Sequence, residues 1–142
     1  MKVSVKVEYF AGGLRPIVIC TLRSHEPRIF GFIKAIIDTG SPFTILGGED
    51  VNKMRLSQVQ MKKLAGEEKE ANLGGAQMKT RVLPEAEIRV SGSVIKIPVQ
   101  VPVKILAGTP PPTILGVDFL LKGKFKFYFD PNNKEAYLET QK

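Results

Sequence analysis

The chain has 142 residues, a formal net charge of +7, one cysteine and one histidine. This length suits one domain with a core of its own, and the lone cysteine and histidine exclude both an internal disulfide and a zinc cluster. No apolar run approaches the roughly 20 residues that span a bilayer, and the first five residues lack the form of a signal peptide. We therefore expect one cytoplasmic domain over residues 1–142, with no membrane partner, metal or cofactor.

The basic excess raises the question of nucleic-acid binding, because clustered lysine and arginine favour the approach of phosphates. The basic residues are scattered over most of the chain. The densest groups, Lys62-Lys63 and the alternating Lys122, Lys124 and Lys126, are explained as solvated faces. The charge pattern therefore argues against a nucleic-acid partner.

Along the chain, the dominant hydrophobic period is two, which is typical of half-buried strands. The first strand alternates, and Gly12-Gly13 permits the chain to reverse. A second strand runs through Ile17-Val18-Ile19-Cys20. The third, over 29–37, is almost continuously apolar, which predicts a strand covered on both faces.

The middle of the chain mixes short strands with helical turns. A short strand is predicted at 43–46, and the apolar stripe within 50–64 predicts one or two helical turns, with Ser57 or Asp50 as N-cap. Around the glycine pair Gly74-Gly75 the sequence predicts a hairpin tip.

The last third is again regular. Two alternating strands flank the turn Ser91-Gly92-Ser93, a short helix is predicted over 117–121, and a hairpin ends the chain within 125–139. The fold class is therefore mainly β with one or two short helices.

The motif of greatest interest is Asp38-Thr39-Gly40, which follows the apolar Ala35-Ile36-Ile37 and is answered much later by Ile114-Leu115-Gly116. It places a carboxylate on a tight, glycine-bearing turn at the end of a buried strand, where an acid/base catalyst is held rigidly. Because the triplet occurs once, a second catalytic carboxylate has to come from another copy of the chain.

These motifs, in this order with the Gly-Gly hairpin between them, resemble the retropepsin-like aspartic proteases. The run Ile-Leu-Gly-Val-Asp-Phe-Leu is closer to cellular, DNA-damage-inducible-type and prokaryotic members than to viral ones. The resemblance implies a closed β-barrel-like homodimer with one active site at the subunit interface. It covers a protease core over 29–139, preceded by an N-terminal strand extension over 1–28.

Carried over to this chain, the resemblance makes Asp38 the catalytic aspartate, one from each subunit. Thr39 is the residue that grips across the dimer, and Gly40 lets the backbone approach the carboxylate. A hydroxyl of Ser41 that donates to Asp38 favours the ionised form, so we expect an acidic working range.

The resemblance also implies a flap that folds over an extended peptide substrate, with its tip at Leu73, Gly74, Gly75 and Ala76. Ile114-Leu115-Gly116 is the second apolar-glycine element, which packs beside the active-site loop. The chain departs from viral members at Val117, where those commonly carry an arginine that ties the subunits together.

Several alternatives stay open from the sequence. Asp38 is also consistent with an ordinary turn aspartate, and Cys20 lies in an apolar strand where a buried, inert thiol is commoner than a nucleophile. The favoured function is an aspartic endopeptidase, a hydrolase of peptide bonds. Its main rival is the same fold kept as an inactive binding or scaffolding module, and a basic nucleic-acid-binding β domain ranks below both.

Overall fold

The computed structural model of the chain describes residues 1–26, 28–73, 76–108 and 111–140. The described part is built mainly from strands, with three short helices, so the predicted class is confirmed. The strands are β1 (Lys2–Phe10), β2 (Gly13–His25), β3 (Arg28–Ile37), β4 (Ala65–Leu73), β5 (Ala76–Val90), β6 (Ser93–Ala107), β7 (Thr113–Leu115), β8 (Phe125–Asp130) and β9 (Glu135–Thr140). The helices are α1 (Gly48–Met54), α2 (Gln58–Lys62) and α3 (Val117–Gly123). Within the described ranges, no helix has the length and apolar character needed to cross a membrane.

The strands form one sheet that branches at β2. The main path runs β4-β5-β2-β1-β9-β8, while β3 pairs with β2 and β7, and β6 pairs with β5. Residues 13–17 of β2 pair with β1 and residues 21–23 pair with β5, whereas β3 follows β2 over 17–25. Because of this fork, β4 and β8 end the path apart from each other. Among the described strands the sheet does not close, so the expected closed barrel is wrong.

Both predicted chain reversals occur, although the first turns at Ala11-Gly12 and not at Gly12-Gly13. Ala11 and Gly12 have φ of 51° and 84°, and Ser91 and Gly92 have φ of 44° and 85°. Two successive residues with positive φ form the turn whose twist matches that of the flanking antiparallel strands. These turns fix the registers of the β1–β2 and β5–β6 hairpins.

The third strand differs from its prediction, because only one of its faces is covered along its whole length. Ile29, Ile33 and Ile37 are buried, but Phe30 and Phe32 are 59% and 66% exposed. Helix α1 packs on the inner face, where a Cβ at Gly31 would lie 2.8 Å from Met54 Cγ. No described element covers the outer face at the two phenylalanines. The apolar run therefore has one buried face and one face that is exposed at Phe30 and Phe32.

The segment 43–64 also differs in detail. The strand expected at 43–46 is only a bridge at Ile45, which joins Gln100 on one side and Ile114 on the other. The helical stripe divides into α1 and α2. Ser57 caps α2, because its side chain accepts from Gln60 N while the Gln60 side chain accepts from Ser57 N. The predicted N-cap at Ser57 is therefore confirmed.

Candidate active site

Asp38 directly follows the last residue of β3, at the point where that strand lies beside β7. The two strands are parallel, with Ile37 opposite Leu115. The backbone amide of Asp38 donates to the Leu115 carbonyl oxygen over 3.0 Å, and the Ser41 amide donates to the Asp38 carbonyl oxygen over 3.2 Å. The flanking Ile37 and Leu115 are buried. The backbone that carries this carboxylate is thus fixed from both sides.

The Asp38 carboxylate has one partner within its own turn. Gly40 N donates to Asp38 Oδ1 over 2.8 Å, and a Cβ at Gly40 would lie 3.1 Å from the same oxygen. The glycine therefore permits a charge-assisted bond that a larger residue would crowd. Asp38 is half-buried, while Thr39 and Gly40 are exposed. The carboxylate is held through one oxygen and faces an open surface.

Ser41 does not make the bond that the sequence suggested. Its side chain is buried, and its hydroxyl donates to the Phe43 carbonyl oxygen over 2.7 Å. A serine hydroxyl carries a single proton, so it cannot donate to Asp38 at the same time. Ser41 shapes the loop instead, and the expectation of an acidic working range loses the support of this side chain.

The second predicted motif, Ile114-Leu115-Gly116, lies against the Asp38 loop. Ile45 and Ile114 exchange backbone hydrogen bonds of 3.0 and 2.9 Å. At Gly116 a Cβ would come within 2.5 Å of Phe43 O and 2.6 Å of Ser41 O, so the two loops meet at a distance that only glycine allows. The structure thus brings together residues that are 69 to 75 positions apart, as the resemblance implied.

The start of α3 is bonded to the same loop. Val117 N donates to Ser41 O over 2.8 Å, and Asp118 N donates to Pro42 O over 3.2 Å. The first amides of a helix have no partner within the helix. Here the loop that carries Asp38 supplies their acceptors, so helix and loop position each other.

A buried polar link completes the contact between the loops. Thr44, which is 0% exposed, donates from Oγ1 to Asp118 Oδ1 over 2.8 Å and from its amide to Asp118 Oδ2 over 3.2 Å. The same hydroxyl accepts from Gly116 N over 3.1 Å, and Asp118 Oδ1 also accepts from Phe119 N over 2.8 Å. Sequence reasoning missed Thr44. The available signal was a threonine inside the apolar run 43–46.

A second polar link lies one layer further from Asp38. Thr113 Oγ1 accepts from Gly47 N over 2.8 Å and donates to the buried carboxylate of Asp50.

Burial, with the nearby charge of Asp50 as a smaller cause, raises the pKa of the Cys20 thiol to about 12. A thiol so strongly held in its protonated form is a poor nucleophile, which supports the inert role considered for Cys20.

The predicted flap falls only in part within the described residues. Leu73 and Ala76 pair at the end of the β4–β5 hairpin, and Ala76 is buried. Gly74 and Gly75 lie outside the described residues. In the described part of the chain, no hydrogen bond joins Leu73 or Ala76 to the Asp38 loop. The structure therefore brings together residues 38–41 and 114–116, and leaves the flap a prediction.

The chemistry of the site is that of a carboxylate. Among the described residues, no three histidine, cysteine or acidic side chains are grouped so that they could hold a metal ion. Within 38–46 and 113–118 the only carboxylates are Asp38 and Asp118. Since Asp118 is engaged by Thr44, Asp38 is the one carboxylate of the two loops that is available to a ligand.

A solved structure with a known description has the same fold. The crystal structure of a retropepsin-like aspartic protease from Rickettsia conorii matches with a TM-score of 0.60 and 18% sequence identity, over 99% of this chain and 91% of that one. No protein-family model matches the sequence. No curated protein matches it in sequence either. At this identity the likeness concerns the fold, and the chain has a retropepsin-like fold.

Proposed function

We propose that the protein is an aspartic endopeptidase that works as a homodimer, with Asp38 of each copy forming one catalytic pair. The observation that carries the proposal is the placement of Asp38. Its carboxylate is half-buried at the end of a paired strand, bonded through one oxygen to Gly40 N and supported by the loop of Leu115 and Gly116. The retropepsin-like fold supports the same reaction class, although a fold alone does not establish an activity.

The need for a second copy follows from the chemistry. Peptide hydrolysis by carboxylates requires one group as base and one as acid at the same time. The loops contribute a single available carboxylate, because Asp118 is bonded to Thr44 and Phe119. Two Asp38 side chains that meet at a two-fold axis cannot both ionise cheaply, so they share one proton.

The reaction uses that shared proton. The ionised Asp38 takes a proton from a water molecule, whose oxygen attacks the carbonyl carbon of the peptide bond. The protonated Asp38 of the other copy gives its proton to the carbonyl oxygen. In the second step the carbon–nitrogen bond of the tetrahedral diol breaks, and the leaving nitrogen takes a proton from the first carboxylate. One hydroxyl of the diol returns its proton to the second carboxylate, so the pair is again in its starting state. Thr39, exposed beside the carboxylate, contacts the other subunit in this arrangement.

The finer features belong to the same proposal. The β4–β5 hairpin, with its tip at 73–76, acts as the flap over an extended peptide. The pattern of Val117 followed by Asp118 favours the cellular or prokaryotic, DNA-damage-inducible type over the viral one. This assignment to the cellular or prokaryotic type is supported by Asp118, which accepts from Thr44 of the same chain and so holds the Asp38 loop.

The test is peptide hydrolysis by the purified protein, measured by mass spectrometry on a mixture of peptides over a range of pH. We expect cleavage at internal peptide bonds that a statine-type transition-state mimic blocks. Asp38→Asn removes the acid/base pair and lowers the rate by about 10²- to 10⁴-fold. Glu85→Gln, which changes an exposed carboxylate on β5, is the matched control and leaves the rate unchanged.

The oligomeric state gives an independent check. Sedimentation velocity over a range of protein concentrations is expected to show a dimer, with cleavage that follows the dimer fraction. A protein that hydrolyses peptides while wholly monomeric contradicts the shared site. A dimer without hydrolysis at any pH, equally stable as Asp38→Asn, indicates the inactive binding or scaffolding module instead.

A further inference from the structure

The outer face of the β2–β3 hairpin carries exposed aromatic rings next to exposed cations. We call this surface the aromatic–basic face and define it by Phe30 and Phe32 of β3, Arg23 and His25 of β2, Arg28 of β3 and Arg89 of β5. All six side chains are exposed. Because residues directly opposite in an antiparallel pair point to the same side, the registers place all six on one face of the sheet.

We propose that the aromatic–basic face binds single-stranded nucleic acid, by base stacking on the two rings and by phosphate contacts to the arginines. The proposal is independent of catalysis at Asp38. It departs from the expectation drawn from the scattered charges. Arg89 is far from Arg23 and Arg28 in sequence, and the pairing of β3 and β5 with β2 brings the three together.

The rings are suited to stacking. Phe30 and Phe32 are two positions apart along one strand, or about 6.7 Å, so their side chains lie next to each other on the same face. Their ring centroids are 5.9 Å apart and their planes make an angle of 77°. With 59% and 66% of each residue exposed, the rings leave aromatic surface open to ligands. Successive bases of an unpaired strand stack on such rings without regard to sequence.

The cations are interleaved with the rings. Arg23 lies directly opposite Phe30, and Arg89 lies opposite Thr21, which is itself opposite Phe32. Each ring therefore has a guanidinium one or two strands away, at about 5 or 10 Å across the sheet. A surface that binds an apolar protein segment has a contiguous apolar centre with the charges at its rim. Here each phenylalanine has an arginine across the sheet from it. This arrangement suits a nucleic-acid chain, which has one phosphate for every nucleotide.

Two carboxylates near this surface form ion pairs with lysines. Glu87 is paired with Lys96 at 3.6 Å, and further along the sheet Glu8 is paired with Lys34 at 2.7 Å. In contrast, none of Arg23, Arg28 and Arg89 forms an ion pair within the part of the chain that the structure describes. The surface thus presents positive charge to a partner, which also opposes the docking of a second copy through the same face.

A cavity at the end of the hairpin extends the surface. It has a volume of about 410 Å³ and is lined by Arg23, Ser24, His25, Arg28, Ile29 and Phe30. This volume is within the range of small-ligand pockets. Two arginines, a histidine and a phenylalanine are among its lining residues, so the cavity suits the phosphate and the base of one nucleotide.

The test uses the full chain and a fluorescein-labelled oligo(dT) of about 15 nucleotides, a length within the range that single-strand sites cover. Fluorescence anisotropy gives the Kd at several salt concentrations. We expect binding to the single strand that weakens steeply between about 50 and 200 mM salt. A duplex of the same length is expected to bind more weakly, since its bases are not free to stack.

Two sets of variants separate stacking from charge. Phe30→Ala with Phe32→Ala is expected to raise the Kd about 10-fold or more, and Tyr9→Ala, at a residue that is 78% exposed on β1, is the aromatic control. Arg23→Gln with Arg89→Gln is expected to lower the slope of log Kd against log salt by about 1.4, because two phosphate contacts are lost.

A charge control and three opposing outcomes test whether this face binds single-stranded nucleic acid. Lys122→Gln with Lys126→Gln removes the same charge from another surface and is expected to leave the Kd and slope nearly unchanged; an equal loss there overturns the proposal. So does an absence of binding by the unaltered protein in low salt. An acidic peptide that binds this face more tightly than oligo(dT) identifies a protein partner instead. A sedimentation coefficient altered by the phenylalanine variants identifies a contact between copies.

Discussion

The link between Thr44 and Asp118 allows a quantitative prediction, because it is the polar contact that joins the two loops of the site. Asp118→Ala removes the acceptor for the hydroxyl and the amide of Thr44, which lie 2.8 and 3.2 Å from it. Phe119 N keeps an acceptor in Gly116 O at 3.2 Å. Two donors of a residue that is 0% exposed are thus left without their partner.

The size of the effect follows from these contacts. Hydrogen bonds to a charged group contribute about 1.5–3 kcal/mol each, and water that enters beside the half-buried position 118 recovers part of the loss. We expect Asp118→Ala to lower the free energy of unfolding by about 3 kcal/mol. Thr44→Val removes one hydroxyl and is expected to cost about 2 kcal/mol, whereas Thr44→Ser keeps it and costs about 1 kcal/mol through the lost methyl group.

The assay is urea unfolding followed by circular dichroism, at one fixed protein concentration because any self-association adds to apparent stability. Glu85→Ala, an exposed carboxylate on β5, is the control and is expected to stay within about 0.5 kcal/mol of the unaltered protein. The double variant Thr44→Val with Asp118→Ala is expected to lose at least about 1 kcal/mol less than the sum of the single variants.

Coupling between Thr44 and Asp118 is refuted if Asp118→Ala costs less than about 1 kcal/mol, or if the two substitutions add within about 0.3 kcal/mol. Either result means that the two side chains stabilise the protein separately. A loss of hydrolysis in Thr44→Val that Thr44→Ser restores, at a temperature where both remain folded, is the expected sign that the link also positions Asp38.

Three further predictions concern the same loops and their surroundings. Gly116→Ala places a methyl group 2.5 Å from Phe43 O and is expected to cost about 3 kcal/mol in urea unfolding; a loss below about 1 kcal/mol means that the loops separate easily. Cys20, whose pKa is raised to about 12, is expected to resist thiol reagents in the folded protein at pH 8 and to react once unfolded. Between the pKa of the unfolded thiol and about 12, the Cys20 thiol is protonated only in the folded protein. Its contribution to stability is therefore full below the unfolded pKa and is lost as the pH rises towards about 12. Ser41→Ala, which removes a hydroxyl bonded to Phe43 O, is expected to leave the pH optimum of hydrolysis unchanged, and a shifted optimum means that the hydroxyl acts on the Asp38 pair.

Much of the fold follows from patterns that are local in the sequence. The alternation of β5 and β6 and the turn at Ser91-Gly92 determine a long hairpin, because period and turn agree. Period and turn need no knowledge of what packs on them. The contact between the loops around Asp38 and Gly116 was implied by the resemblance to the retropepsin-like proteases, and the structure has it.

The features that were not predicted depend on what neighbouring elements cover. The apolar run predicts that Phe30 and Phe32 are buried, because such a run does not reveal that one face of β3 remains open. Ser41 was assigned to Asp38 by proximity in sequence, whereas the turn directs its hydroxyl to Phe43 O. The barrel does not close because one edge of β2 pairs with β1 over part of its length and with β5 over another part. The hydrophobic periodicity of a strand does not show which partners its edge has.

The bonds from Asp38 to Leu115 and from Ser41 to Val117 also bear on the time at which the site forms during synthesis. At 5–20 residues per second, the ribosome needs about 4–16 s to add the 80 residues between Asp38 and Asp118. Throughout that interval the loop that carries Asp38 lacks the acceptors and donors that fix its backbone. The site is therefore not assembled until residues 113–118 have been added and have folded against the loop that carries Asp38.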